Sequence, residues 1–185
     1  MLSTHIKTAT HTAHQELEKK VVMQLKSIRS NADYANVLKN FYAYFHALEK
    51  VISPFITVDV LPDYTERRNS VYLKNDIEEL GSDVQDLPPV TAPVVTNVAE
   101  ALGALYVMEG SIMGGPYIVQ MLQKYGMNKG FSFFSGYGEA TGNMWSAFTD
   151  VMNTTVITAD EIAQATDSAN ATFANFSEVF EVKVS

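Results

Sequence analysis

The apolar and polar positions of this chain repeat with the period of an α-helix along most of its length. No segment shows the sustained two-residue alternation of a half-buried strand, so the pattern predicts an all-α protein. The predicted helices cover residues 4–26, 31–53, 67–81, 95–126 and 140–153, and a last one begins at 158. Residues 81–93 and 131–140 are predicted to be loops.

Polar residues at the predicted helix starts support these boundaries. Ser3 is expected to cap the first helix, and either Ser30 or Asn31 the second. At the start of the last helix, Thr158 is followed three residues later by Glu161, the spacing of a capping box. The sequence therefore predicts where several of the helices begin.

The glycine-rich stretch LGALYVMEGSIMGGP, residues 102–116, raises the main question about function. Each glycine inside a helix costs about 1 kcal/mol relative to alanine. Gly103, Gly110 and Gly114 fall within about 40° of one another on a helical wheel and form a stripe without side chains. Pro116 predicts a kink in the turn before it. The stripe indicates either close helix packing or close approach of the backbone to a large flat ligand.

His14 lies on the apolar stripe of the first helix. Leu17, Val21 and Leu25 fall within about 60° of it on the wheel, which predicts that the imidazole is buried. One interpretation is a hydrogen-bonded core histidine; the other is an axial metal ligand, since neutral imidazole binds iron well. Glu18, one turn later, could take the other ring nitrogen and fix the tautomer.

The other histidines give weaker signals. His5 is predicted to point away from the apolar stripe, and His11 to lie at its edge. A di-iron bundle needs Glu-x-x-His motifs on two helices. His46 and Glu49 carry those residue types in the reverse order, which argues against such a site.

Composition and charge narrow the possible functions. A length of 185 residues predicts one domain, over residues 1–185, and the absence of cysteine excludes disulfides and thiolate chemistry. The net charge of −8 argues against nucleic-acid binding. The pair Arg67 and Arg68 is predicted to be solvated surface. The N-terminal stretch has no apolar signal core, so a cytoplasmic protein is expected.

Several stretches together resemble the haem oxygenase family. IKTATHTAHQELE is similar to the family's first-helix signature, and LGALYVMEGSIMGG to the distal-helix signature of the bacterial, biliverdin-producing branch. The stretches FYAYFHALE, RRNSVYLKNDIEELG and TGNMWSAF are supporting matches in the same order. Phe173, Phe176 and Phe180 repeat at i, i+3 and i+7, as the family's haem-side aromatic residues do.

The resemblance implies a fold and a reaction. The expected fold is a single-domain helical bundle that holds haem between the first helix and a kinked, glycine-rich distal helix. The expected reaction opens haem at a meso carbon and yields biliverdin, ferrous iron and carbon monoxide. Haem is then both substrate and cofactor, and electrons come from a ferredoxin or another reductase, docked locally around Lys7, Lys19 and Lys20. The reductant, the biliverdin isomer and the choice between monomer and dimer stay open.

The resemblance also implies roles for individual residues. His14 becomes the axial ligand of the haem iron, and Glu18 orients it. Ser111 stands where the animal enzymes carry an aspartate that holds water, and its hydroxyl can still hold one. The implied catalytic positions are Gly110, Ser111 and Gly114; the implied haem contacts also include Lys7 (to a propionate), Met108, Gly115, Phe148, Phe173 and Phe180. Phe148 replaces the propionate-binding arginine of the animal enzymes, which leaves the propionate anchors open.

Two other functions remain possible from the sequence. One is a non-catalytic haem-binding or haem-sensing protein on the same scaffold, because Ser111 could leave oxygen activation uncoupled. The other is an interaction protein that does not bind haem. Hemin titration followed by a reductant distinguishes all three functions.

Overall fold

Residues 1–181 are described by a computed structural model and form seven α-helices and two 3-10 helices. The α-helices are α1 (Leu2–Ala9), α2 (His11–Lys26), α3 (Asn31–Ile52), α4 (Ser70–Glu79), α5 (Val98–Lys124), α6 (Thr141–Thr155) and α7 (Ala159–Val179). The 3-10 helices are Tyr64–Glu66 and Gly138–Ala140. No strand occurs within residues 1–181, and the all-α prediction is confirmed. None of the helices in that range is both long and apolar enough to cross a membrane.

The first predicted helix is interrupted at Thr10, where φ is −101° and ψ is 1°. The Thr10 hydroxyl donates to the carbonyl of Ile6 at 2.7 Å, a back-bond that competes with regular helix geometry. The predicted cap at Ser3 is also wrong, because α1 begins at Leu2 with Met1 before it. The backbone N–H of Ser3 donates instead to the Asn153 side chain of α6 at 2.9 Å.

The caps predicted for two later helices are confirmed. Ser30 caps α3, and its hydroxyl accepts from the backbone N–H of Asp33 at 3.1 Å. Thr158 and Glu161 form the capping box at the start of α7. α5 continues through Pro116, so the kink there remains a prediction.

Helix α5 packs directly along α7. A Cβ built on Gly103 would overlap the carbonyl oxygen of Ala165, so this glycine permits backbone contact between the two helices. Beside it, the Ser168 hydroxyl donates to the carbonyl of Glu100 at 2.7 Å. One of the three stripe glycines therefore serves helix packing, the structural alternative in the sequence analysis.

Arg67 and Arg68 are each only 2% exposed, so the prediction of solvated surface is wrong for both. Arg67 donates two hydrogen bonds to Asp63, at 2.8 and 2.9 Å, and one to Glu109 at 2.9 Å. It also donates to the carbonyl of Met144 in α6 at 3.0 Å. The paired carboxylates compensate the cation, and the pKa of Arg67 is raised despite its burial.

The loop that follows α5 is fixed by a buried carboxylate of α4. Asp76 accepts from the backbone N–H and hydroxyl of Ser132, at 3.0 and 2.6 Å, and from the N–H of Phe133 at 3.0 Å. Burial raises the pKa of Asp76. These bonds position the next residue, Phe134, whose carbonyl lies against Gly115 and whose side chain lines the largest described cavity.

Candidate haem-binding site

A cavity of about 610 Å³ lies between α1 and α2 on one side and α5 on the other. Phe134, Trp145 of α6, and Phe173 and Phe176 of α7 also line it. This volume falls in the range of sites that bury a small molecule. The first-helix and glycine-helix signatures therefore face one space.

The α2 wall of the cavity carries the predicted apolar stripe. His14, Leu17, Val21 and Leu25 all line the cavity, as one helical face should. The prediction that the His14 side chain is buried is wrong, because it is 54% exposed. The stripe faces a cavity rather than packed protein. The helical period of apolar residues is the same in both cases, so it cannot distinguish a cavity wall from a core.

Two neighbours hold the His14 ring. The Glu18 carboxylate lies 3.1 Å from Nε2, the contact expected from the four-residue spacing. Phe173 stacks against the imidazole with 5.3 Å between ring centroids and 24° between the planes. Glu18 engages one nitrogen and Phe173 covers one face, so the orientation of the ring is constrained from two directions.

The α5 wall presents backbone to the cavity. Gly110 and Gly114 both line it. A Cβ on Gly110 would make an ordinary 3.7 Å contact with Trp145, and one on Gly114 would meet no described atom within 4 Å. Neither glycine is required by packing within residues 1–181. Here the stripe has the second predicted property, a bare surface on which a flat ligand can lie.

Gly115 is not among the residues that line this cavity, and its role as a haem contact stays a prediction. It is buried, and a Cβ there would overlap the carbonyl oxygen of Phe134. The adjacent Gly114 is exposed. Neighbouring glycines thus have different functions, one accepting a loop and the other facing the cavity.

Ser111 lines the cavity, and its hydroxyl already has two partners. It donates to the carbonyl of Met108 at 2.6 Å and accepts from Nη2 of Arg68 at 2.6 Å. A hydroxyl has one proton and two lone pairs. The remaining lone pair can accept a hydrogen bond from water, while the proton is held by Met108.

Arg68 is a buried cation behind the α5 wall, which the sequence analysis placed on the surface. Besides Ser111, it donates to the carbonyls of Phe133 at 2.8 Å and Met108 at 3.3 Å, and its guanidinium lies 3.9 Å from the Phe133 ring centroid. Burial lowers the pKa of Arg68 to about 10, which keeps it charged at neutral pH. The adjacent pair Arg67 and Arg68 has no sequence pattern that distinguishes a buried arginine from an exposed one.

Three other predicted contacts do not line the cavity. Met108, Phe148 and Phe180 have 2%, 0% and 2% exposure and belong to the packed core. Met108 borders a separate cavity of about 230 Å³. The centroid of the Phe148 ring lies 5.6 Å from the guanidinium carbon of Arg67. Phe180 packs on Phe41 with 5.2 Å between centroids. Of the aromatic triplet, Phe173 and Phe176 do line the main cavity.

Charged and polar side chains of α1 and α2 also line the cavity. Lys7 of α1 and His11 of α2 both line it and are exposed, so Lys7 is placed where a ligand's carboxylate could reach it. Lys20 instead pairs with Glu181 at 3.1 Å, and Lys19 is exposed. Within residues 1–181, no three His, Asp or Glu side chains are arranged to share a metal ion.

The fold and the site define a helical protein with an imidazole and a bare backbone surface on opposite walls of an apolar cavity. The chain belongs to the heme oxygenase family, whose model, described as "Heme oxygenase", matches residues 1–182. A heme oxygenase of Xanthomonas campestris is 30% identical over 145 residues, which cover 77% of this chain and 86% of that protein. Heme oxygenase PigA of Pseudomonas aeruginosa is 23% identical over 97% of this chain and 91% of that protein.

Solved structures share the fold. The NO- and CO-bound heme oxygenase of Neisseria meningitidis superposes with a TM-score of 0.79 at 22% identity, covering 97% of this chain and 90% of that one. Heme oxygenase of Leptospira interrogans gives a TM-score of 0.77 at 15% identity, with 97% and 98% covered. The all-helical architecture expected from the signatures is therefore that of known haem oxygenases.

Proposed function

We propose that this protein is a haem oxygenase that cleaves haem at a meso carbon to biliverdin, ferrous iron and carbon monoxide, using O₂ and external electrons. One observation carries the proposal: His14 stands on one wall of the cavity, and the bare backbone of Gly110 and Gly114 forms the other. Family membership supports the same reaction.

The residues present fit haem. Most of the lining side chains are apolar, His14 lines the same cavity, and the exposed Lys7 also lines it and could pair with a propionate. A porphyrin needs large apolar contact on both faces and polar partners only at its rim. When bound, haem iron supplies the oxygen-activating chemistry of the reaction.

On the His14 wall, the side chains would bind the haem iron and orient the ligating imidazole. His14 would provide a nitrogen ligand that would hold the haem iron without the electron push of a thiolate. Glu18 holds the second nitrogen of a ligating ring and so fixes its tautomer. Phe173 packs on the ring and limits its rotation.

On the α5 wall, the glycines leave space for the porphyrin, and Ser111 would position a water as the proton source. Gly110 and Gly114 allow the backbone to approach the porphyrin closely. Ser111 accepts a hydrogen bond from a water in the cavity, and the buried Arg68 cation fixes the serine oxygen. A water held this way can deliver protons at one edge of the ring.

The proposed reaction also needs a source of electrons and a place in the cell. A ferredoxin or other reductase delivers electrons, with Lys7 and Lys19 as cationic contacts near the haem edge. The protein works in the cytoplasm as one domain over residues 1–185, and iron is released with the product.

The experiment is hemin titration of the wild type and His14→Ala, followed by ascorbate or reduced ferredoxin. Trp145 is the only tryptophan and lines the cavity, so its fluorescence reports filling of the site independently of the Soret band. We expect an imidazole-bound Soret spectrum, quenching of Trp145, and biliverdin after reduction. His14→Ala should change the spectrum and abolish biliverdin formation; identical spectra would refute the axial role of His14.

A second candidate function is haem binding without turnover. It is favoured by the Ser111 hydroxyl, whose only proton is donated to Met108 rather than to the cavity. This alternative predicts the same Soret shift and the same quenching but no biliverdin with either reductant. An interaction protein without haem predicts neither optical change.

A further inference from the structure

Two imidazoles line the main cavity, and both belong to the same wall. His11 is the first residue of α2, and His14 follows one helical turn later. His5 and His46 do not line this cavity. The break at Thr10 places His11 at the start of a new helix, beside the exposed Lys7.

The two imidazoles differ in their surroundings. His14 is engaged by Glu18 at Nε2 and by the stacked ring of Phe173. His11 is exposed, and its ring has no hydrogen bond or ion pair to any residue in the range 1–181. Iron can therefore bind His14 only at the nitrogen that Glu18 does not hold, or after Glu18 moves. Binding at His11 displaces no such contact.

We propose that His11 is a second iron-binding residue, which takes haem on arrival before the iron passes to His14. This inference rests on the proposed function, because it assumes that haem fills the main cavity. The transfer exchanges one iron–imidazole bond for another, with no change in oxidation state and no group transferred.

The geometry makes the transfer short. Three helical residues correspond to a rise of about 4.5 Å. Beyond His14, the wall continues with the apolar side chains of Leu17 and Val21, so haem moving inward gains apolar contact. The exposed Lys7, four residues before His11, carries an ammonium that attracts the carboxylates of haem and raises the encounter rate. Capture at His11 and final ligation at His14, which is nearer in sequence to the apolar Leu17 and Val21, follow from this arrangement.

Equilibrium spectra provide the first test. Hemin is titrated into the wild type, His11→Ala, His14→Ala and the double variant, with His5→Ala as a control outside the cavity. We expect His14→Ala to give an imidazole-bound spectrum that is shifted from that of the wild type and that the double variant loses. Identical spectra for His14→Ala and the double variant would overturn the proposal.

Stopped-flow quenching of Trp145 by hemin provides the second test. The wild type should show a capture phase followed by a slower ligand exchange. His11→Ala should slow the first phase by about tenfold, within the range by which association rates vary among variants of one site, and should reach the wild-type final spectrum. Equal rates in the wild type and His11→Ala would overturn the inference.

These experiments separate the two levels of the proposal. If the wild type gives no Soret shift, the proposed function fails. If the wild type and His11→Ala bind hemin normally while His14→Ala matches the double variant, only the role of His11 fails. Substitutions at exposed positions such as His11 usually change stability by less than about 0.5 kcal/mol, and circular dichroism confirms folding of each variant.

Discussion

Gly103 of α5 lies in backbone contact with Ala165 of α7, so the carbonyl oxygen of Ala165 occupies the place of a side chain at position 103. Farther along the same stripe, Gly114 would accept a Cβ without meeting any described atom within 4 Å. The two glycines are equivalent in the sequence pattern and opposite in their surroundings. One holds helices together, and the other leaves a surface for a ligand.

This contrast predicts opposite effects of alanine at the two positions. Gly103→Ala should destabilise the protein by about 1–3 kcal/mol, the typical cost of overpacking, because neither backbone can retreat without moving its helix. Gly114→Ala should stabilise the haem-free protein by up to about 1 kcal/mol, since alanine is the better helix former. It should weaken hemin binding at the same time.

Urea denaturation measures the first effect, and hemin titration by Trp145 quenching measures the second. Gly110→Ala is a further comparison, since its Cβ would make only a 3.7 Å contact with Trp145. Equal destabilisation by Gly103→Ala and Gly114→Ala would contradict the assignment of separate roles.

The buried ion pair between Arg67 and Glu109 gives a second prediction. Both side chains are 1% exposed, so Arg67→Met leaves the Glu109 carboxylate in the interior without its cation. The expected loss is about 3–5 kcal/mol of unfolding free energy, the usual cost of breaking a buried pair from one side.

The double variant Arg67→Met with Glu109→Gln is the matched control. It removes both charges and should recover part of the lost stability, since the penalty comes from the charge left unpaired. Urea denaturation of the two single variants and the double variant completes the cycle. Strict additivity of the single effects would show that the pair is not coupled.

The sequence predicted those features of the fold that depend on local periodicity. The α2 face that carries His14 and the α5 face that carries Gly110 and Gly114 both line the cavity, and each could be recognised because a helical face is determined by spacing within one segment. The capping box at Thr158 is equally local. These two faces were sufficient to predict the opposing walls of the cavity.

The features that were missed depend on contacts between distant segments. Arg67 is buried because Glu109, 42 residues away, meets it in the interior. Gly115 receives the carbonyl of Phe134 because Asp76 of α4 fixes the connecting loop. No pattern around either position distinguishes these environments from a solvated arginine or a ligand-facing glycine. The exposure of His14 could not be predicted either. A helix face that lines a cavity and one that packs in a core carry the same apolar pattern.

A third prediction concerns pH and the capping box of α7. Hydrogen bonds from the backbone N–H groups of Thr158 and Ile157 lower the pKa of Glu161 below its ordinary value of 4.5. A carboxyl group with a lower pKa in the folded state stabilises the fold above the pKa of the unfolded chain. That stabilisation is lost as the pH falls through the folded value.

Thermal melting of the wild type and Glu161→Ala across pH 3–8 tests this. The melting temperature of the wild type should be the higher one at neutral pH, and the difference should shrink below the ordinary carboxyl pKa. Asp160→Ala is a comparison on the same helix turn, outside the capping box. A difference independent of pH would rule out a contribution from the ionised Glu161.

The last prediction separates turnover from haem binding through Ser111. Ser111→Ala removes the 2.6 Å acceptor of the Arg68 guanidinium, whose Nη2 then keeps only the Met108 carbonyl at 3.3 Å. A buried donor that loses its partner costs about 1–3 kcal/mol of stability. Ser146→Ala, at an exposed position of α6, is the matched serine control and should have little effect.

Under the proposed function, Ser111→Ala also removes the acceptor proposed for a cavity water in the haem-loaded protein. Hemin affinity, measured by quenching of Trp145, should change little, since the serine hydroxyl supplies little of the apolar contact area. Biliverdin formation should fall by about 100-fold, the lower end of the contribution of a positioned proton-transfer group. A loss of hemin affinity equal to the loss of biliverdin formation would instead mean that Ser111 shapes the cavity. Unchanged biliverdin formation would place the proton source at another residue.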